Sequence, residues 1–310
     1  MSPSILITDA AGDIGRALVG ALTDEGVPVR VLARPDGGDP SPTSPLVEVV
    51  EGAVRTVDVL DRALAGIEQV VLLAPPAPDQ VGLLGAVVEA AERTGRPVHL
   101  ISVLVMGAMP ADAPVQLARW QAVTEAQIRS SGLPATTLRP QLLMQNLLRA
   151  AGSIGTADII CGGFGPVRLP QVDARDVAAA AQTVLTAPGH EGQSYVLTGP
   201  QVLSYPDVAQ IFSEELGRPI QYVDMPVEAY HEYLVGSGVA SWRADDLAAL
   251  ARLFRTAPAW PVTSAVAELT GRPARSLRAF VREHAAAFRP AEGPAVPLGD
   301  EAAVCCVSPL

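Results

Sequence analysis

The chain has 310 residues, 49% of them hydrophobic, enough for one large core or for a nucleotide domain with a smaller one attached. A formal net charge of -11 leaves no broad basic surface, so no nucleic-acid partner is expected. All 22 basic residues are arginine, which excludes a lysine Schiff base and a Walker-type phosphate loop.

Cysteine is confined to Cys161, Cys305 and Cys306, with no histidine spacing suited to zinc, so neither a metal nor a disulfide framework is expected. No secretory-type segment opens the chain, and no run approaches the roughly 18 apolar residues of a membrane span. The expectation is a cytoplasmic protein with no membrane association.

Short apolar runs alternate with helical patterns through the first half. Residues 5–8 (ILIT) read as a strand, followed by a helix over about 12–25. Residues 27–32 give the next strand, and a Pro/Gly-rich loop runs to Pro45. Residues 54–59 (VRTVDV) read as a strand and 61–67 as a short helix. Strand character returns at 68–74, then Val81, Leu84, Val88 and Ala91 mark a helix over 78–95. Residues 97–102 and 133–140 are strands around an amphipathic helix at 116–132. The repetition implies βαβ units, hence a Rossmann-like doubly wound parallel sheet with helices on both faces.

After Pro140 the pattern changes. Residues 142–151 read as helix, a Gly-rich stretch runs to Pro170, and 173–185 is helical, with Asp173 and Asp176 organising its start. A strand at 194–199, a helix at 207–217 and a short strand at 219–224 precede helices near 226–236, 242–255 and 274–288. This predicts a dinucleotide-binding-type domain over 1–150. Residues 151–290 would hold connections returning to the sheet and a small, mainly helical substrate cap, and 291–310 a mobile tail.

The stretch ILITDAAGDIG carries strand into glycine turn into helix. Gly12 permits close backbone approach and Gly15 close helix packing, while amides at the helix start face a pyrophosphate. Asp9 stands where the turn ordinarily has its first glycine, and its charge opposes a phosphate. Arg34, beyond the second strand, fits the 2'-phosphate of NADP, whereas Asp36 nearby fits the ribose hydroxyls of NAD; Arg34 carries more weight.

Thr8, Asp9, Ala10, Ala11, Gly12, Asp13, Ile14 and Gly15 resemble the T-G-A-x-G-x-x-G turn of the NmrA-like branch of the atypical short-chain dehydrogenases/reductases. Resemblance continues through Arg34, Asp58, residues 131–148, 172–185, 195–200 and 217–226, covering about 4–290. It implies Arg34 at the adenosine phosphate, Asp58 at the adenine, Ala74 and Pro75 along the dinucleotide groove, and a substrate between the two domains. It also implies either a reductase of small molecules or a non-catalytic dinucleotide sensor acting through a protein partner.

Typical short-chain dehydrogenases carry tyrosine and lysine four residues apart on a helix beside the cofactor, with a serine after the preceding strand. Ser102 matches the serine, but residues 103–132 hold neither tyrosine nor lysine, and the first tyrosine is Tyr195. Acid/base candidates are therefore Ser102 and, in EAYHEYL, Tyr230 and His231, with Tyr233 as a substrate contact. Arg119 and Trp120 on the 116–132 helix are candidates to orient and stack a planar substrate, and Gln141, Met144, Gln145 and Asn146 to line its pocket. The expected function is NADP-dependent reduction of a small aromatic, quinone-like or carbonyl compound. A redox-neutral cyclisation, dehydration or rearrangement on the same fold and a dinucleotide-responsive regulator are the alternatives, and a homo-oligomer is compatible with each.

Overall fold

The computed structural model describes residues 3–33, 44–53, 55–105, 109, 112–256 and 260–289. The first half contributes strands β1 (Ile5–Ile7), β2 (Val29–Ala33), β3 (Val47–Glu51), β4 (Gln69–Leu72), β5 (His99–Val103) and β6 (Ala135–Pro140). Helices α1 (Asp13–Asp24), α2 (Val57–Leu64), α3 (Gln80–Arg93) and α4 (Gln116–Ser131) alternate with them. The second half runs β7 (Leu142–Leu143), a 3-10 helix (Met144–Ala150), α5 (Ala151–Ala157), β8 (Ile159–Gly162), β9 (Arg168–Val172) and α6 (Ala174–Thr186). There follow β10 (Ser194–Leu197), β11 (Val202–Ser204), α7 (Tyr205–Leu216), β12 (Gln221–Asp224) and four helices: α8 (Val227–Gly236), α9 (Ser241–Thr256), α10 (Ala265–Thr270) and α11 (Leu277–Glu283).

Seven strands pair in the order β10-β6-β5-β4-β1-β2-β3, every neighbour parallel. The continuous apolar runs of β1, β4 and β5 follow from burial on both faces. Leu6, Val70, Leu72 and Leu100 pack with Leu60, Leu64, Leu84 and Val88 of α2 and α3. Ile5, Ile7, Val71 and Ile101 pack on the opposite face with Leu18 and Leu22 of α1 and Val177 and Ala181 of α6. This is the Rossmann-like parallel sheet, accompanied by the smaller, mainly helical C-terminal region of α8–α11. A separate core there gathers Phe164, Phe212, Tyr230, Leu247, Phe254 and Phe280.

The expected strand at 54–59 is corrected: the strand is β3, and Val57 begins α2. Val59, Leu60, Ala63 and Leu64 share the buried helical face, so tertiary burial overrides the β-branched composition of VRTVDV. The helix expected over 142–151 is likewise corrected to the short strand β7, hydrogen-bonded to β9, and a 3-10 helix. The Gly-rich stretch before Pro170 also holds α5 and β8. Cys161 lies buried in β8, whereas Cys305, Cys306 and the expected tail fall outside the described residues. Among the described residues, no helix is long and apolar enough to cross a membrane.

Candidate active site

Strand order reverses beside β1, where the chain leaves β1 for β2 on one side while β4 lies on the other. The loops leaving the carboxyl ends of these strands part there and open a crevice, the usual ligand site of such a sheet. Thr8 ties the loops together: its Oγ1 donates to the Leu73 carbonyl at 2.5 Å and accepts from the Leu73 N–H at 2.9 Å. Gly15 is required by contact, since a Cβ on it would stand 1.8 Å from the Asp9 carbonyl oxygen. A Cβ on Gly12 would meet Asp9 Oδ2 at 2.9 Å. Gly12, at the N-cap of α1, has no side chain to cap the helix, so the opening amides form the cradle a phosphate needs.

A cleft of about 180 Å³ extends from this cradle. Asp9, Gly12, Asp13, Ile14 and Gly15 form one end, and Leu73, Ala74, Pro75 and Pro76 its groove. Val103 and Val105 after β5, Leu117 and Gln121 of α4, Gln80 and Leu84 of α3, and Leu143, Asn146 and Arg149 after β6 complete the walls. The apolar walls suit a flat ring, and the opening amides of α1 suit a pyrophosphate. The charge at the cradle opposes it, because Asp9 accepts the Gly12 N–H at 3.3 Å and Asp13 lies alongside. Arg149 is the one cationic side chain among the described lining residues.

The cleft gathers Asp9, Gly12, Ile14, Gly15, Ala74, Pro75 and Asn146 from the residues singled out in the sequence. Thr8 serves as the clasp behind it. Asp58 is exposed in the first turn of α2 and is not part of the lining, while Arg34 and Asp36 lie outside the described residues.

The remaining candidates are placed elsewhere. Ser102 is 1% exposed within β5, its Oγ buried with no hydrogen-bond partner among the described residues, and it is not part of the cleft lining that includes Val103. Tyr230 is fully buried, its ring edge-on to Phe164 at 5.8 Å and tight against Gly163. His231 meets Asp245 Oδ1 at 2.8 Å on the outer side of α8 and α9, and Tyr233 packs against the C-terminal core. Trp120 packs on Trp242 at 5.4 Å, and the Arg119 guanidinium donates to Gln116 Oε1 at 2.8 Å.

Met144 is core, and Gln141 is buried with its N–H on the Leu197 carbonyl. Gln145 belongs to a structural clasp: its Nε2 donates to Asp173 Oδ1 at 2.9 Å and its Oε1 accepts the Ala174 N–H at 2.9 Å. Asp173 caps α6, in keeping with its position in the sequence. Burial pushes its carboxyl upward, but hydrogen bonds from the Arg175 side chain and N–H and from Gln145 outweigh this and hold it below the usual carboxylate range.

Sequence reasoning missed Leu117 and Gln121, which are four residues apart and reach the cleft from one face of α4. The only available signal was their four-residue spacing on a helix expected beside the cleft. Asp246 of α9 fixes this helix by accepting the Gln116 and Leu117 N–H groups, the latter at 3.2 Å. The other missed wall residues, Gln80, Leu84 and Arg149, come from elements whose approach only the folded sheet defines.

A model of the NmrA-like family matches residues 1–269. The chain belongs to the NmrA-like family. It is 36% identical over 287 residues to an NAD(P)H azoreductase of Xenophilus azovorans, covering 92% of this chain and 99% of that one. It is 37% identical over 289 residues to a (4-alkanoyl-5-oxo-2,5-dihydrofuran-3-yl)methyl phosphate reductase of Streptomyces griseus, again covering 92% and 99%. Among solved structures, it resembles a Citrobacter sp. triphenylmethane reductase complexed with NADP(H), with TM-score 0.75, 26% identity and coverage of 90% and 99%. The NmrA-like cleft of this chain thus occurs in a fold that holds a nicotinamide dinucleotide in that relative.

Proposed function

We propose that this chain is an NAD(P)H-dependent reductase of a small, conjugated organic acceptor of the quinone, azo or related carbonyl type. The observation that carries the reading is the cleft itself, running from the Gly12/Gly15 cradle at the start of α1 to apolar walls on β5 and α4. Similarity at 36% and 37% identity over 92% of the chain to an NAD(P)H azoreductase and a butenolide-type phosphate reductase supports it. When bound, the dinucleotide supplies the hydride. The α1 amides would hold its pyrophosphate, Ala74 and Pro75 would pack along it, and Val103, Val105 and Leu117 would exclude water from the end where the acceptor would lie. Acceptor, hydride and one proton from solvent balance the reduction.

Calorimetric titration with NADPH and NADH tests the reading, followed by nicotinamide oxidation with a quinone and azo panel. Binding of at least one cofactor with turnover is expected; no measurable binding of either overturns it. Dinucleotide binding with tight retention of a protein partner and no turnover would favour a regulatory role. Arg34→Ala is expected to weaken NADPH more than NADH, and equal losses would remove Arg34 from the phosphate.

A further inference from the structure

One side-chain oxygen in the cleft wall has no hydrogen-bond partner among the described residues. Gln80 opens α3, lines the cleft and is 5% exposed. Its Oε1 is buried with no hydrogen-bond partner among the described residues. A buried amide oxygen without a donor destabilises a fold, and an apolar side chain of similar length would pack there without that penalty. Gln121 supplies a second carboxamide from α4. It is 6% exposed, and its Nε2 donates to the Val105 carbonyl at 2.6 Å, so its Oε1 is the atom left to accept. Both stand among Leu84, Val103, Val105 and Leu117, where a hydrogen bond is shielded from water.

We propose that Gln80 is a specificity-determining residue that accepts a hydrogen bond from an N–H or O–H group of the bound ligand, with Gln121 Oε1 as a second acceptor. The last torsion of a glutamine is soft, so its oxygen swings toward the cleft with little strain. The inference rests on the reductase reading of the cleft. Two ligands offer such a donor: the carboxamide of the nicotinamide, and a hydroxyl or amino group on the organic acceptor. A site with buried acceptors discriminates strongly against a ligand that cannot donate to them.

The test uses Gln80→Met, close in shape but without the acceptor, and Gln80→Leu as a second variant. NADPH affinity is measured by calorimetry, KM for a hydroxyquinone and its methoxy counterpart by turnover, and Tm without ligand. Loss of one hydrogen bond predicts about fivefold to tenfold weaker binding of the donor-bearing ligand, with Tm unchanged or raised. A change in NADPH affinity assigns the donor to the dinucleotide. A change confined to the hydroxyquinone assigns it to the acceptor. Unchanged binding constants overturn the inference, and so does a lower Tm in both variants, which gives Gln80 a structural role. Wild-type protein that binds neither NADPH nor NADH overturns the reductase reading and this inference together; intact wild-type binding with unaltered variants overturns the inference alone.

Discussion

Replacing Asp9 should strengthen dinucleotide binding, the reverse of what substitution in a binding turn ordinarily does. Asp9 Oδ1 lies 3.3 Å from the Gly12 nitrogen. A phosphate oxygen accepting from the same amide would sit about 2.9 Å from that nitrogen, so the two anions can be no more than about 6 Å apart. At that separation repulsion is about 0.7 kcal/mol in bulk water and about 3 kcal/mol at the effective dielectric of a protein surface. Asp9→Asn keeps the size of the side chain and removes the charge, so NADPH affinity should rise by about 1.5 kcal/mol, or roughly tenfold.

Asp9→Gly also frees the Gly12 amide and should add a further factor of about five, set against a stability loss of about 0.5–1 kcal/mol from backbone entropy. Position 9 is not in the left-handed region, so glycine relieves no strain there. Calorimetry at low and high salt gives the answer, with the gain shrinking as salt screens the repulsion. If Asp9→Asn binds NADPH no more tightly than the wild type, the carboxylate does not face the phosphate and the electrostatic account of this turn is wrong.

Two further predictions concern the scaffold. Asp173→Ala removes the α6 cap, leaves Gln145 Nε2 without its acceptor and leaves the Arg175 guanidinium with Glu283 alone; it should cost about 3 kcal/mol, or roughly 5 °C in Tm, with NADPH affinity unaltered because Asp173 lies outside the cleft lining. Burial holds His99 below its ordinary pKa of 6.5, an effect reinforced by His190 and partly opposed by Glu191. Thr136 Oγ1 donates to the His190 carbonyl at 2.6 Å, so His99 Nε2 donates to it at 2.9 Å and, when neutral, carries its proton on Nε2. Below pH 6.5 the unfolded chain takes up a proton that folded His99 resists, so its contribution is complete above that pH and is lost as pH falls through the folded value. Tm measured between pH 7.5 and pH 5 should fall less steeply in His99→Gln than in the wild type, and equal slopes would refute the assignment.

The repeating α/β pattern was legible because each strand of the sheet centre is buried on both faces and each helix carries one apolar stripe. Residues 54–59 misled because valine-rich segments satisfy both strand composition and the buried face of α2. At the site, glycine spacing was readable since it reflects local backbone contact: Gly15 has no room for a Cβ against Asp9. The distributed acid/base candidates were not, because whether Tyr230 faces a cleft or a core depends on how α8 packs on Phe164 and Gly163, contacts separated by more than sixty residues. Chemical residue types in EAYHEYL suggested a site; packing places them in a core aromatic and a surface hydrogen bond.

The same geometry bears on which acceptors this cleft can serve. Leu117 and Gln121, four residues apart on α4, both line the cleft. Neither side chain titrates in water, and among the described lining residues none is a tyrosine, serine or histidine. A positioned general acid is worth about 10²–10⁴ in rate, which this cleft forgoes at that wall. An isolated ketone needs that proton as charge builds on its oxygen. A quinone or an azo group conjugated to electron-withdrawing rings spreads the charge delivered by hydride over its π-system, and water can protonate it afterwards. Without a proton-transfer pair at that wall, the proposed reductase would select acceptors by their own electron demand and would serve to orient acceptor and dinucleotide against apolar walls.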